Sequence, residues 1–373
     1  MKNRCLFKLK QHLAQYPIVE WCRRRRDMGA KAFSPEMLDG ADPVLIDWPA
    51  GVPHPRIGLV KDCGKMLYTP HYAYWPRYER FLKSNGIPFE FYDIRRADWL
   101  KEASRFDIIV WRTESDPASQ YEAENKLRIL ETLGKKCLPS FDLAWSYEDK
   151  VRQAYLFELH GIPTVPTFIS HDRDESLAHV ATAPLPIVSK LATGSGSMGV
   201  ELFRSRRAAA RFVRRVFAPG APTYWTYQRQ KDYVYFQQFI EDAAYDLRVI
   251  VIGDRIFGYY RMNPSDDFRA SGSGNVVKKE IPEEALRIAV RTAAAFNAPM
   301  IAVDMIHSPA HGGFFVIEAS ISFQIDTHEQ LKNGDTPGCY RYGNDRFTFE
   351  PGRFWVQELA LRRFLETAWL SRG

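Results

Sequence analysis

The sequence predicts a mixed α/β fold, of the α+β type, with two or three packed units. Its 373 residues are enough to build that many hydrophobic cores. From residue 56 to 133, short apolar runs alternate with helical patterns that end at glycines, as in a small sheet covered by helices. From residue 233 to 262, strand-forming runs follow one another directly, and Gly253-Asp254-Arg255 joins two of them as in a β-hairpin.

Composition sets limits on the class of protein. We find no apolar run long enough to cross a bilayer, and the first residues lack the apolar core of a signal peptide. The five cysteines are scattered, which argues against a disulfide framework and against a cysteine zinc site. We therefore expect a soluble, cytoplasmic protein. The net charge of +6 does not by itself indicate nucleic-acid binding, because acidic residues are interleaved through most of the chain.

Residues 1–54 are expected to form a basic N-terminal extension. Arg23 to Arg26 are consecutive, and Leu6, Phe7 and Trp21 give the basic segment an apolar side. One interpretation is a solvated amphipathic helix that packs on its own protein. The other is docking onto an acidic partner, anionic lipid or RNA.

A glycine-rich loop lies between two apolar runs, from Gly194 to Gly199, and Lys190 precedes it. Small residues allow backbone N–H groups to approach an anion, so the loop is a candidate site for a nucleotide triphosphate. Phe203 and the β-branched residue after the loop favour strand–turn–strand over a Rossmann turn. A Walker Gly-Lys-Ser/Thr sequence and the kinase tripeptides His-Arg-Asp and Asp-Phe-Gly are absent. A flexible hairpin tip with an exposed lysine is the alternative.

Two carboxylates interrupt consecutive apolar strands, Asp304 on the first and Glu318 on the second. A carboxylate in such a strand is costly unless it is paired or binds a cation. If both side chains project from one face, they could hold magnesium, which prefers oxygen ligands. Salt bridges to Arg248 or Arg261 are the alternative.

Three other polar segments have open interpretations. Arg112, Thr113 and Glu114 follow a predicted strand at its C-terminal end, where open α/β sheets bind ligands, although solvation of a loop is equally consistent. The loop 268–275 has glycine hinges and could close over a ligand. The arginine-rich helix 205–217 is most simply a solvated face.

These features occur in one consistent order along the chain: two lysines, the glycine loop, the strand end at Gln237 to Glu241, further arginines and the carboxylate pair. That order resembles the ATP-grasp superfamily, and within it the amino-acid ligase branch. This branch includes the glutamate ligase that acts on a ribosomal protein tail and the carrier-protein ligase of lysine biosynthesis. The resemblance extends from about Arg56 to about Gln324.

The resemblance implies an ATP-grasp fold, in which two α+β subdomains sandwich ATP and a small pre-ATP-grasp βα domain precedes them. The expected domains are residues 55–144 for the pre-ATP-grasp domain and 145–373 for the ATP-grasp domain. Within the latter, a small lid subdomain would cover about 150–236 and a large subdomain about 237–373.

The resemblance also implies roles for single residues. The phosphates of ATP would be bound by Lys150 and Lys190, beneath a flap that contains Ser195, Gly196, Ser197 and Gly199. The base and ribose would contact Ile187, Val188, Gln238, Phe239, Ile240 and either Glu241 or Asp242. The transferring phosphoryl group and the substrate carboxylate would be neutralised by Arg261 and Arg269. The Mg²⁺ ligands would be Asp304, Glu318 and Ser320.

The chain departs from the family pattern at two places. Ser320 stands where the family usually has asparagine, which leaves water or Gln324 to complete the metal site. Phe268-Arg269-Ala270-Ser271 replaces the family's Phe-Arg-x-Asn.

The function implied by the resemblance is an ATP-dependent carboxylate–amine ligase that forms an amide or peptide bond through an acyl phosphate. Its cofactors would be ATP and Mg²⁺. Its amine substrate would be an amino acid, a peptide or an amino-sugar. An acidic partner for the N-terminal extension and a homodimer are further expectations. A non-catalytic or regulatory ATP-binding module with the same fold is the alternative.

Overall fold

The strands of the protein form three main sheets and one two-stranded ribbon in the part of the chain that the structure describes. The structure is a computed structural model and describes residues 35–62, 72–194, 199–223, 225, 227–264 and 275–372. A short 3₁₀ turn, Pro35–Leu38, precedes the first strand, and another, Leu370–Arg372, follows the last helix.

The first sheet is parallel, with strand order β2-β1-β3-β4. Ile108, Ile109 and Val110 of β3 are all fully buried, because a parallel sheet is covered on both faces. The elements of this unit are β1 (Ile57–Leu59), α1 (Trp75–Ser84), β2 (Phe89–Phe91), α2 (Trp99–Ala103), β3 (Ile108–Val110), α3 (Pro117–Thr132), β4 (Lys136–Leu138) and α4 (Phe141–Ser146).

The second sheet is antiparallel and small, with strand order β5-β10-β6-β7. The arginine-rich helix α7 packs Phe212 and Val213 against it and leaves its arginines exposed, as its amphipathic sequence predicts. The elements of this unit are α5 (Lys150–Leu159), β5 (Thr167–Ser170), α6 (Arg173–Thr182), β6 (Ile187–Ser189), β7 (Glu201–Phe203), α7 (Arg206–Val216), β8 (Ala221–Pro222), β9 (Arg229–Gln230) and β10 (Val234–Gln238).

Helix α6 is an element that the sequence analysis did not predict. Its sequence has little amphipathic character, which removes the main periodic signal for a helix. The available signal was the cap, because the Asp172 side chain accepts a hydrogen bond from the Glu175 backbone N–H at 2.7 Å.

The third sheet has eight strands, in the order β15-β14-β11-β12-β17-β16, with β13 and β18 paired to β12 and β17. The predicted hairpin is confirmed, since Ile252 pairs with Arg255 across the two-residue turn Gly253-Asp254. The elements of this unit are β11 (Tyr245–Ile252), β12 (Arg255–Met262), β13 (Val276–Val277), α8 (Glu283–Phe296), β14 (Ile301–Ser308), β15 (Gly313–Ser320), β16 (Lys332–Asn333), β17 (Thr336–Gly343), β18 (Arg346–Pro351) and α9 (Val356–Ala368).

Helix α9 joins the first sheet to the third, and the sequence analysis made no prediction for it. Its apolar residues share one core with α1, the first sheet and the third sheet. Trp355, just before α9, is 1% exposed and lies 4.3 Å from the Arg77 guanidinium. Arg80 pairs with the buried carboxylate of Glu358, with Nε 2.5 Å from Oε1. The first unit and the large sheet therefore share a continuous interior.

None of the helices described here combines the length and the apolar character that crossing a membrane requires.

We expect Trp355→Ala to lower the free energy of unfolding by about 3 to 5 kcal/mol, because it removes a large side chain from this shared core. Urea denaturation of the purified variant measures the change. Tyr121, which is 72% exposed on α3, supplies the control, since Tyr121→Ala should change stability by less than about 0.5 kcal/mol. Equal effects of the two substitutions would contradict the packing described for α9.

Candidate active site

The small sheet presents one polar face toward the large sheet. Side chains alternate along a strand, so Val188 and Lys190 share a face, and Gln237 pairs with Val188 on that face. Ile187 points the other way and packs in the core beneath α6 and α7. The expectation that Ile187 and Val188 both contact the adenine is therefore wrong for Ile187, because neighbouring residues of a strand face opposite sides.

Lys150 connects the glycine loop to the large sheet. Its ammonium donates a hydrogen bond to the carbonyl oxygen of Gly194 at 2.7 Å and lies 3.4 Å from Oε1 of Glu318. Its backbone N–H also donates to the carbonyl oxygen of Ala192 at 2.9 Å. Burial opposes the charge on Lys150, but the carboxylates of Glu318 and Glu148 outweigh that effect and raise its pKa.

Lys190 lies in the same region, within electrostatic range of both Lys150 and Glu318. Burial, reinforced by the positive charge of Lys150, lowers the pKa of Lys190 to about 8. Two ammonium groups that repel each other create a positive potential that would favour an anion with several charges.

The glycine loop requires a glycine at its end. Gly199 has φ +73°, and a Cβ there would lie 2.2 Å from Cδ1 of Leu191. The predicted strand–turn–strand is confirmed, because β6 and β7 pair antiparallel on either side of the loop. The flap residues Ser195, Gly196 and Ser197 lie outside the described residues.

Asp304 and Glu318 are directly opposite each other on β14 and β15, so their side chains project from the same face. Arg248 donates to both oxygens of Asp304, each at 2.7 Å. Arg261 lies 2.7 Å from Oδ2 of Asp304 and also donates to Asp246 at 2.5 Å. Although burial opposes ionisation, the two guanidinium groups hold the pKa of Asp304 well below its usual range. The salt-bridge alternative thus describes Asp304 in this structure.

Glu318 has more free capacity as a ligand than Asp304. Lys150 contacts only Oε1, and Oε2 has no hydrogen-bond partner within the described residues. The hydroxyl of Ser320 is buried and donates to the carbonyl oxygen of Ser322 at 3.4 Å. In the described part of the chain, no three His, Cys, Asp or Glu side chains form a cluster that could hold a metal ion.

The strand end after β10 is only partly available for a nucleotide. The backbone N–H of Gln238 donates to the carbonyl oxygen of Pro166 at 3.0 Å, and the Gln238 side chain contacts His311. Ile240 is buried, whereas Glu241 is exposed. Asp242 accepts a hydrogen bond from the Ser308 hydroxyl at 2.8 Å, which leaves Glu241 as the better candidate for the ribose.

Comparison with known proteins identifies the family. A family model described as a RimK-like ATP-grasp domain matches residues 147–336, slightly more than half of the chain. The chain belongs to the RimK-like ATP-grasp family.

Relatives of this ATP-grasp chain are named as ligases. A probable alpha-L-glutamate ligase of Enterobacter is 27% identical over 240 residues, covering 62% of this chain and 74% of the relative. The ribosomal protein bS6–L-glutamate ligase of Escherichia coli is 25% identical over 244 residues, covering 64% of this chain and 76% of the relative. An alpha-aminoadipate–LysW ligase of Saccharolobus solfataricus is 23% identical over 213 residues, covering 57% and 72%.

Solved structures agree on the fold. D-cycloserine synthetase superimposes with a TM-score of 0.57 at 16% identity, covering 83% of this chain and 99% of that structure. A D-alanine–D-alanine ligase of Bacillus anthracis gives a TM-score of 0.52 at 14% identity, covering 85% and 98%. The RimK-like chain is an ATP-dependent carboxylate–amine ligase, and its relatives do not favour the alternative of a non-catalytic module.

Three residues that this ATP-grasp chain places near Lys150, Glu318 or Asp304 were not assigned a site role from the sequence. Arg248 was considered only as a salt-bridge partner, although it lies opposite Asp304 in register. Tyr235 lies on the same polar face as Lys190, within electrostatic range of Lys150 and Glu318. Glu148 has φ +56° and is 5% exposed. The alternation of side chains along β11 and β10 could have indicated Arg248 and Tyr235, but no local sequence pattern indicates Glu148. Arg269 lies outside the described residues.

The lowered pKa of Lys190 predicts that ATP binding depends on pH. ATP phosphates favour the charged lysine, so above pH 8 binding must take up a proton and the affinity falls as pH rises. We expect the Kd for ATP to increase about tenfold from pH 7 to pH 9. Isothermal titration calorimetry at both pH values measures this change. Lys190→Arg is the reference, since arginine keeps its charge and should remove the dependence. An equal pH dependence in the wild type and in Lys190→Arg would refute the assignment of Lys190 to the ATP phosphates.

Proposed function

We propose that this ligase binds ATP between the small sheet and the large sheet and uses it to join a carboxylate to an amine. The single observation that carries this proposal is the position of Lys150, which contacts Gly194 of the glycine loop on one side and Glu318 of the large sheet on the other. The division into a pre-ATP-grasp domain (55–144) and an ATP-grasp domain (145–373) is supported by the three separate sheets.

We assign the triphosphate to Lys150 and Lys190. The Lys150 ammonium contacts Gly194 at the start of the glycine loop, and Lys190 lies within electrostatic range of Lys150. Gly199 allows the tight turn at the end of the loop, where a side chain would collide with Leu191. Val188 and Gln237 line the face on which the adenine would lie.

In the first step, a substrate carboxylate oxygen attacks the γ-phosphorus of ATP, and the bond from that phosphorus to the β,γ-bridging oxygen breaks. The products are an acyl phosphate and ADP. Because the step spreads negative charge over the transferring group, it depends on positioned cations rather than on a covalent enzyme group. Arg248 and Arg261 are the described cations on the large sheet that can neutralise this charge, and Arg269 is a further candidate.

The oxygen atoms available at this site match the requirements of magnesium in part. Glu318 offers a free carboxylate oxygen, and Ser320 lies two residues further along the same strand. Asp304 becomes available as a ligand when Arg248 or Arg261 turns from it toward phosphate. We propose that Glu318, with Asp304 and Ser320, holds Mg²⁺, which would neutralise charge on the β- and γ-phosphates.

In the second step, the amine nitrogen attacks the acyl carbon, the bond from that carbon to the phosphate oxygen breaks, and inorganic phosphate leaves. The nitrogen loses a proton and an amide remains. The relatives named above act on ribosomal protein bS6 or on LysW, so we propose a carboxylate on a protein or peptide as the first substrate. The acidic partner of residues 1–54 and the homodimer stay proposals that rest on sequence alone.

We expect Lys190→Ala and Glu318→Ala each to lower turnover by at least about a hundredfold, because the first removes a positive charge for the phosphates and the second removes a proposed ligand of Mg²⁺. Magnesium-dependent release of ADP and phosphate, on a panel of carboxylates with and without amino acids, measures the loss. Lys231→Ala, close to the small sheet, and Glu350→Ala, on β18 of the large sheet, are matched controls. Both residues are exposed, and both variants should retain activity. Activity like the wild type in Lys190→Ala or Glu318→Ala would remove the site assignment.

A further inference from the structure

The tip of the β14–β15 hairpin contacts the chain segment that connects the small sheet to the large sheet. Residues 239–244 form this connection, between Gln238 at the end of β10 and Tyr245 at the start of β11. The family resemblance implies contacts to the base and ribose of ATP along the first part of it, residues 238–242. The hairpin tip, residues 308–313, has no part in the mechanism above.

Four side chains hydrogen-bond the hairpin tip to residues 238–242, and we call them the tip network. The ring of His311 contacts the side-chain nitrogen of Gln238 through Nε2, at 3.3 Å, and the Ser308 hydroxyl through Nδ1, at 2.8 Å. The Ser308 hydroxyl also lies 2.8 and 3.0 Å from the two carboxylate oxygens of Asp242. The backbone N–H of Ala310 donates to the same carboxylate at 2.9 Å. Both ends of the segment are therefore bound to one turn.

The carboxylate of Asp242 fixes the direction of each hydrogen bond in the tip network. The hydrogen bonds from the Ala310 backbone and then from the Ser308 hydroxyl lower the pKa of Asp242, so the ionised group can only accept. Because Ser308 has one hydroxyl proton and donates it to Asp242, Nδ1 of His311 must donate to the Ser308 oxygen. Nε2 of the neutral ring is then an acceptor, and the Gln238 amide donates to it. The tip network therefore requires the Nδ1–H tautomer of His311.

Ser308 places the tip network on the face of the large sheet that carries Asp304. The two residues are four positions apart on β14, and side chains alternate along a strand, so both project from one face. At about 3.3 Å per residue, they lie about 13 Å apart along the strand. Ser308 is fully buried, whereas His311 is exposed. The tip network is thus distant from the proposed Mg²⁺ ligands and adjacent to the segment implied for the base and ribose.

We propose that His311 is a positioning residue for the nucleotide, which holds residues 238–242 in the conformation that binds the base and ribose of ATP. The inference rests on the proposed function and makes it more specific. Gln238 is held by the ring of His311, and Asp242 is held by the turn, which leaves the exposed Glu241 to face the ribose. In this role His311 acts through its neighbours and not on the phosphates.

The test compares ATP with inorganic tripolyphosphate, which has a chain of three phosphates but no base or ribose. Calorimetry on the full-length protein with magnesium measures the Kd of each ligand. His311→Ala removes both contacts of the ring, and Gln238→Ala removes the amide that donates to it. The matched control is His160→Ala, which replaces an exposed histidine at the C-terminal end of α5.

We expect His311→Ala to weaken ATP binding about fivefold, in line with the loss of one or two hydrogen bonds, and to leave the affinity for tripolyphosphate unchanged. Gln238→Ala should have a similar effect. The double variant should lose little more than either single variant, because both substitutions break the same contact. His160→Ala should bind both ligands like the wild type. Loss of folding would weaken both ligands together, and thermal unfolding reports it separately.

The tautomer of His311 provides a second, independent measurement. In a long-range ¹H–¹⁵N NMR spectrum at about pH 9, where imidazole is neutral, the nitrogen shifts show which ring nitrogen carries the proton. We expect the Nδ1–H form for His311 in the wild type. The exposed His160 should instead show mainly the Nε2–H form, which free histidine prefers.

The outcomes separate this inference from the proposed function. Failure of the wild type to bind ATP would refute the proposed function itself. If the wild type binds ATP, an equal loss of affinity for ATP and tripolyphosphate in His311→Ala, or no loss for either, would overturn the role of His311 alone. An Nε2–H tautomer of His311 would also overturn it, since the hydrogen bonds could not then run from Gln238 to Asp242.

Discussion

Buried charges of opposite sign, held in register on neighbouring strands, are the constraint on which the rest of the structure depends. Asp304 on β14 pairs with Arg248 from β11 and Arg261 from β12, and Arg261 also donates a hydrogen bond to Asp246. Removing one partner from such a group would leave an uncompensated charge in the interior. The strand order of the large sheet therefore has to place these residues opposite one another. The core on the other face of the sheet maintains that order.

Under the proposed function, the same charges would prepare the protein for a triphosphate. Lys150 and Lys190 repel each other electrostatically when no anion is bound. The carboxylate of Glu318 offsets only part of this repulsion. Arg248 and Arg261 are already buried next to Asp304, so under the proposed function one of them would only have to turn from this carboxylate to reach phosphate. Asp304, which is held ionised between them, can exchange a guanidinium for a metal ion. Under the proposed function, one charge network would serve both for pairing within the protein and for catalysis in the complex with ATP.

The first sheet packs against the large sheet and also positions a polar side chain at its edge. Helix α9 and the ring of Trp355 fix it to the large sheet, which keeps Arg112 at hydrogen-bond distance from Ser322. That contact brings the C-terminal end of a parallel strand, a usual position for ligand groups, to the edge of the antiparallel sheet that carries Glu318.

Local patterns in the sequence determined much of this protein: the strand–turn–strand around the glycine loop, the hairpin at Gly253, and the placement of Asp304 and Glu318 on consecutive strands. Each of these depends on residues close in sequence or on a fixed strand period, which a single chain displays directly. Only the tertiary structure decided that Ile187 faces the core, that both arginines occupy Asp304, and that Glu148 reaches the cluster. These facts depend on which faces and chain segments meet in space, and no local spacing encodes that. The packing of α9 could not be predicted for the same reason, because its apolar face contacts two units that are far from each other in sequence.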